Sequence, residues 1–189
     1  TWLTVLHRTG ARVPFAYACG LSLQKLFIDQ ALPSMGFSGT AAVAAALERR
    51  GAPRSAVTSA VAVDIGCYFA AYVISLGVAL TIFVHGGHAS WLVVAAAVLF
   101  LVFGGALATA VLTLSGRPPS RRLQPLLRIR GIGRAVELLG AADPHLARDP
   151  RLLLRATVMQ LSIFAFDAAT VWALIRALGV DAGPATVFA

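Results

Sequence analysis

Apolar positions in this chain do not alternate with polar ones; they run on. From Ile65 to Gly116 there is no Asp, Glu, Lys or Arg, and roughly 18 consecutive apolar residues already suffice for a membrane-spanning helix. The run holds two such helices, parted by the loop HGGHAS at residues 85–90. The pattern predicts spanning helices over 55–84 and 91–114, and a third over 152–178 after the turn-rich connector DPHLARDP. Gly104 and Gly105 in the second span allow close helix packing. Between the second and third spans, residues 115–150 form a basic segment. Its Leu126, Leu127, Ile132, Val136 and Leu139 make the apolar face of an interfacial helix.

The stretch ahead of these spans reads differently. Val13 to Leu32 is a mainly apolar helix carrying Gln24, Lys25, Asp29 and Gln30. Pro33 ends it, because proline lacks an amide donor and disfavours helix at the residue before it. The turn PSMGFSG follows, then a short Ala-rich helix from Thr40 to Arg50 with Ser38 as its N-cap. At about 1.5 Å per residue that helix is roughly 16 Å long, half of a bilayer core. Its basic end must stay at the membrane surface, since arginine is costly in lipid. Residues 13–50 are therefore expected to form a re-entrant hairpin with its turn near mid-membrane. The fold class that follows is all-α: a polytopic transmembrane helix bundle with a re-entrant helical hairpin, a single transmembrane domain over 1–189. The start at Thr1 and the unfinished GVDAGPATVFA predict a fragment of something larger.

Composition agrees with a membrane protein: 58% hydrophobic residues, 13% charged, mean hydropathy +0.80. The net charge of +8 would suggest nucleic acid in a soluble chain. Here the arginines flank apolar spans, so the expected partners are anionic phospholipids and the membrane, not nucleic acid. Arg49, Arg50 and Arg54, then Arg117 to Arg134, then Arg148, Arg151 and Arg155 fall on one side of the antiparallel spans. The HGGHAS loop on the other side has no Arg or Lys, so the arginine-rich side is expected to be cytoplasmic. Cys19 and Cys67 sit in apolar helical sequence and read as small core residues. His85 and His88 lack a third ligand, so no metal or other cofactor is expected. The oligomeric state stays open, a homo-oligomer included.

Candidate chemistry is confined to a few polar groups. The first amides of a helix have no helical partner and carry positive potential, so Pro33, Ser34, Gly36, Ser38, Gly39 and Thr40 could cup a phosphate headgroup. Asp64 and Asp167 lie within predicted spans, where ionisable residues usually mark function. Asp29 and Lys25, four residues apart on one helix face, read equally as a structural ion pair. No nucleophile elbow, P-loop, zinc-protease motif or paired-cysteine spacing is present. No catalytic residue is assigned, and the chain is not expected to be an enzyme.

One resemblance extends through nearly the whole chain. Leu32-Pro33, the two-glycine turn at Gly36 and Gly39, Arg49-Arg50-Gly51 and the small-residue helix after Arg54 resemble the lysylphosphatidylglycerol synthase transmembrane region, also called the flippase-like domain family. That resemblance implies a bacterial inner-membrane domain, multi-pass, with re-entrant segments and a second related half not contained in this chain. It further implies a role in moving aminoacylated or otherwise modified anionic phospholipids between leaflets. The alternative is a non-transporting anchor or scaffold of a lipid-modifying system. Convergence of the broken turn, Asp64 and Asp167 on one polar cavity would favour transport; groups paired singly or facing lipid would favour the scaffold.

Overall fold

The protein is represented by a computed structural model that describes residues 13–32, 37–86, 90–116 and 139–179, together with Trp2, Leu6 and Gly183. Among the described residues, regular structure is entirely helical. In chain order the helices are α1 (Phe15–Ala31), α2 (Phe37–Arg49), α3 (Arg54–His85), α4 (Trp91–Leu114), α5 (Pro144–Ala147) and α6 (Pro150–Ala177). Helices α3, α4 and α6 are long and apolar enough to cross a membrane and fall within two residues of the expected spans. The expected turn residues Pro33, Ser34 and Gly36 lie outside the described residues. So do His88 and most of the expected interfacial helix.

The chain divides into two compact units. The first comprises residues 1–64 and 111–152, the second 65–110 and 153–189. In the first, α1 and α2 pack against each other as an antiparallel pair. Leu32 ends α1 in extended backbone (φ −120°, ψ 119°), the geometry proline imposes on the residue before it. The pair is closed at one end by the Arg50 guanidinium over the Tyr17 ring, 3.8 Å from its centroid. Helix α2 ends in a Schellman motif: Ala52 N–H donates to Leu47 O (3.1 Å) and Gly51 N–H to Glu48 O (2.9 Å). Gly51, at φ 82°, supplies the left-handed residue this motif needs. Leu6, Leu21, Val43, Leu47, Ala56 and Val57 form the apolar core under the pair.

Polar contacts hold the arginine-bearing end of the first unit. The Ser59 hydroxyl is fully buried. It donates to Ser55 O (2.7 Å) and accepts from Asp143 N–H (2.7 Å). Arg148 Nη2 reaches the carbonyls of Thr113 (3.3 Å) and Ser115 (3.4 Å), two of the orphan acceptors at the end of α4. DPHLARDP is not simply a connector, for each of its Asp-Pro pairs starts a helix. Asp143 accepts from His145 N–H (2.9 Å) to cap α5. Asp149 accepts from Arg151 and Leu152 N–H (2.9 and 3.3 Å) to cap α6. Pro150 at the first helical position loses no hydrogen bond, since its amide would be an orphan anyway. That is why α6 begins two residues ahead of the expected boundary.

In the second unit α3 and α4 approach closely at Gly104, where a Cβ would lie 3.0 Å from Val73 Cγ2. Gly105, expected to share that role, has open space around it. Cys67 is buried, its Sγ 3.5 Å from Leu153 O, and Tyr68 meets Phe164 edge-on at 5.8 Å. Large side chains such as Leu99, Val102 and Phe103 on α4 stay exposed, as they should on a surface whose solvent is lipid.

Gly116 shows which glycine the first unit cannot lose. Its φ is 71°, and a Cβ there would lie 2.7 Å from Pro144 Cβ and 2.9 Å from Ala142 O. Gly116→Ala should cost about 1–2 kcal/mol from the left-handed backbone alone. Ser59→Ala, which strands the Asp143 amide, should cost about 1–3 kcal/mol. Both should lower the unfolding temperature of the detergent-solubilised protein, whereas Gly105→Ala should leave it unchanged or raised.

Candidate functional site

The polar centre of the first unit is the carboxylate of Asp29. Near the end of α1, it is 2.9 Å from Lys25 Nζ through Oδ2 and accepts from Gly39 N–H at 2.9 Å through Oδ1. Gly39 sits in the first turn of α2, so its amide is one of those with no helical acceptor. The carboxylate therefore both pairs with an ammonium and caps the positive end of a helix. Close approach requires glycine: a Cβ on Gly39 would lie 2.5 Å from Asp29 Oδ1 and 2.7 Å from the Lys25 carbonyl. The pair is partly sheltered, with 28% of the Lys25 side chain and 18% of Asp29 accessible.

This cap corrects the expected start of α2. Ser38 is not the N-cap; the helix begins at Phe37, and Ser38 lies inside its first turn. A local rule looks for the capping oxygen beside the helix, whereas here it arrives from ten residues earlier across the turn. Thr40, the next candidate, is buried. Any headgroup that reaches the Gly39 amide must take the place of Asp29.

Asp64 joins the same surroundings. It lies on α3 at the limit of the first unit, and Lys25, Trp2 and Asp29 act on its carboxyl. Among the described residues no ion pair closes on it. The Trp2 indole Nε1 is buried without a completed hydrogen bond, although it is near Asp64. Asp29 pairs with the Lys25 ammonium, and Asp64 feels its charge. Trp2 was not foreseen: a tryptophan near a chain start carries no spacing that would mark it.

Beside these groups lies a crevice of about 160 Å³, where a single water needs only about 10–15 Å³. Its wall is apolar, from Trp2, Leu6, Val13, Leu21, Val43 and Leu47, and Lys25 and Ser22 are its polar edge. An apolar wall with a single cation at its edge suits an amphiphile with an anionic head. Asp167 belongs to the second unit, on an exposed part of α6. Asp29, Lys25, Gly39 and Asp64 are thus gathered in one unit, while Asp167 is part of the other.

No group of three or more potential metal ligands occurs among the described residues. No curated protein matches the chain, and no solved structure matches it. One family model does, the lysylphosphatidylglycerol synthase TM region, and it matches residues 1–189. With three helices long and apolar enough to span a membrane and a full-length family match, the chain is an integral membrane protein and belongs to the lysylphosphatidylglycerol synthase TM-region family.

Proposed function

We propose that this domain binds an anionic, aminoacyl-modified phospholipid and carries it between the leaflets of a bacterial inner membrane. The α1–α2 pair enters as a re-entrant hairpin from the arginine-rich face, which lies toward the cytoplasm. The observation that carries this reading is the crevice with Lys25 at its edge. An acyl chain fits its wall, and a phosphate can reach the ammonium. Asp29 holds the place a headgroup would take, neutralising Lys25 and accepting from the Gly39 amide of α2. Lipid binding is then an exchange of one anion for another. The cost of uncovering the helix end is met as the phosphate arrives, since both anions satisfy the same donors. The surplus carboxylate of Asp64 suits the ammonium of an aminoacyl group.

A non-transporting anchor is the alternative, and one observation favours it. The Lys25–Asp29–Gly39 set is already closed on itself, which is what a structural clasp would look like. Two substitutions separate the readings. Asp29→Asn keeps an acceptor for Gly39 but releases Lys25, so under the exchange reading retention of anionic lipid should rise several-fold. Lys25→Met should lower it by a similar factor. Lipid retained by the purified protein, measured by mass spectrometry against a zwitterionic competitor, gives the result. If both variants only lower thermal stability and lipid selectivity stays fixed, the anchor is the better account.

Gly39→Ala tests the clasp itself. Its new methyl would overlap Asp29 and the Lys25 carbonyl, so the hairpin should loosen by about 1–3 kcal/mol, the cost of overpacking a tight contact. Faster hydrogen exchange confined to 26–45 is the expected outcome.

A further inference from the structure

Asp167 stands on a face of α6 that nothing in the described protein covers. Its own side chain is exposed, as are Ile163, Phe166, Val171 and Leu174 around it. Among the described residues no hydrogen bond or ion pair reaches its carboxylate. The helix ends show how deep it lies. Arg155 lies twelve residues before Asp167, about 18 Å along the helix. Arg176 lies nine residues beyond, about 14 Å away, with its guanidinium over the Trp172 ring at 5.3 Å. Arginine and tryptophan settle at membrane interfaces, and the two arginines are about as far apart as a hydrocarbon core is thick. Asp167 is therefore near the middle of the bilayer.

Lipid offers a carboxylate no donor, and a charge left there is expensive. A water-filled path would need mostly polar walls, but four exposed neighbours, Ile163, Phe166, Val171 and Leu174, are large and apolar. What the face does show is a helix-packing seam. Gln160, Ile163, Asp167, Thr170 and Leu174 follow the alternating three- and four-residue spacing of one helix side. Polar groups in such seams act as glue between membrane helices.

We infer that this seam of α6 docks a second transmembrane helix that presents a lysine or arginine at the depth of Asp167. Charge complementarity selects that partner: a carboxylate only accepts hydrogen bonds, and a basic side chain supplies both donors and the opposite charge. A second copy of this chain does not fit. Two copies of one topology pair about an axis along the membrane normal, and this seam would then set Asp167 against Asp167. Nor do the three spanning helices carry a mid-depth cation, since Arg54, Arg151, Arg155 and Arg176 are all near helix ends. The inference is independent of the proposed lipid site, because α6 beyond Leu152 shares no residue with it.

The test uses the whole chain in proteoliposomes with a synthetic Leu-Ala transmembrane helix bearing one central lysine, or leucine in its place. Association is followed by fluorescence transfer. The lysine helix should bind roughly 5- to 30-fold more tightly than the leucine helix, the range expected for an interhelical polar contact. Asp167→Asn should abolish the difference. Asp167→Lys against a helix with a central aspartate should restore it. Equal binding of the lysine and leucine helices by the unaltered chain overturns the proposal. So does a disulfide between two copies of Ile163→Cys in a background lacking Cys19 and Cys67, which would make the face a self-contact. Labelling of Thr170→Cys by a membrane-impermeant thiol reagent also overturns it, since the seam would then line water.

Discussion

The first amides of a helix have no partner within it and must find one elsewhere. Asp29 is what this protein supplies. Its carboxylate joins Lys25 on its own helix to Gly39 on the next, so the turn between α1 and α2 is closed by a charged contact. An exposed i,i+4 ion pair is worth only about 0.3–0.5 kcal/mol. A charge-assisted hydrogen bond to a helix amide is worth about 1.5–3 kcal/mol. The cap, not the ion pair, is therefore the larger part of the clasp. Lys25 serves to keep the carboxylate aimed. Gly39 is constrained by the same contact, since only the missing side chain lets the two backbones come so near.

The arginine-bearing end solves a related problem by other means. There the ends of α4 and the starts of α3 and α6 are held by short polar side chains and one arginine. Ser59, Asp143, Arg148 and Asp149 each satisfy a backbone group that would otherwise be orphaned. These bonds need no apolar bulk, which suits a region where α3 packs through Ala56, Val57, Ala60 and Val63. Small residues let helices approach, and close approach is the main source of packing energy when lipid competes equally for every apolar side chain.

How much of this was legible depended on range. The spans were plain because a bilayer sets a length and a polarity that hydropathy records directly: 91–114 matches α4 residue for residue, and α3 and α6 differ at their ends only. Pro33 told where α1 stops, and Leu32 adopts the backbone that proline demands. The Lys25–Asp29 pair was also visible, as an i,i+4 spacing. What could not be read was that Asp29 has a second duty. Its partner is ten residues away, and the neighbouring Ser38 satisfied the local capping rule too well. The Asp-Pro starts of α5 and α6 were legible in principle. Both pairs carry an N-cap and a first-position proline, but two prolines six residues apart also look like a turn. The gathering of Trp2, Lys25 and Asp64 is tertiary and left no mark on the sequence.

The acids of the apolar helices now separate by how they are held. Asp29 has an ammonium and an amide, so its charge is balanced within the hairpin. Asp64 feels the same ammonium, but among the described residues no ion pair closes on it. Asp167 has exposed apolar residues around it on its own helix, and among the described residues no hydrogen bond or ion pair reaches it. Burial of charge in a membrane is tolerated where a partner exists, so these three carboxylates differ in where the partner comes from. For Asp29 it is the same polypeptide; under the proposed function it is a bound headgroup for Asp64, and under the inference from α6 a second helix for Asp167. A domain whose acids were all paired internally would be complete as a wall in the membrane. Acids without an internal ion pair, as Asp64 and Asp167 are among the described residues, are what the two proposals require of a protein that would receive a headgroup and dock against a neighbour.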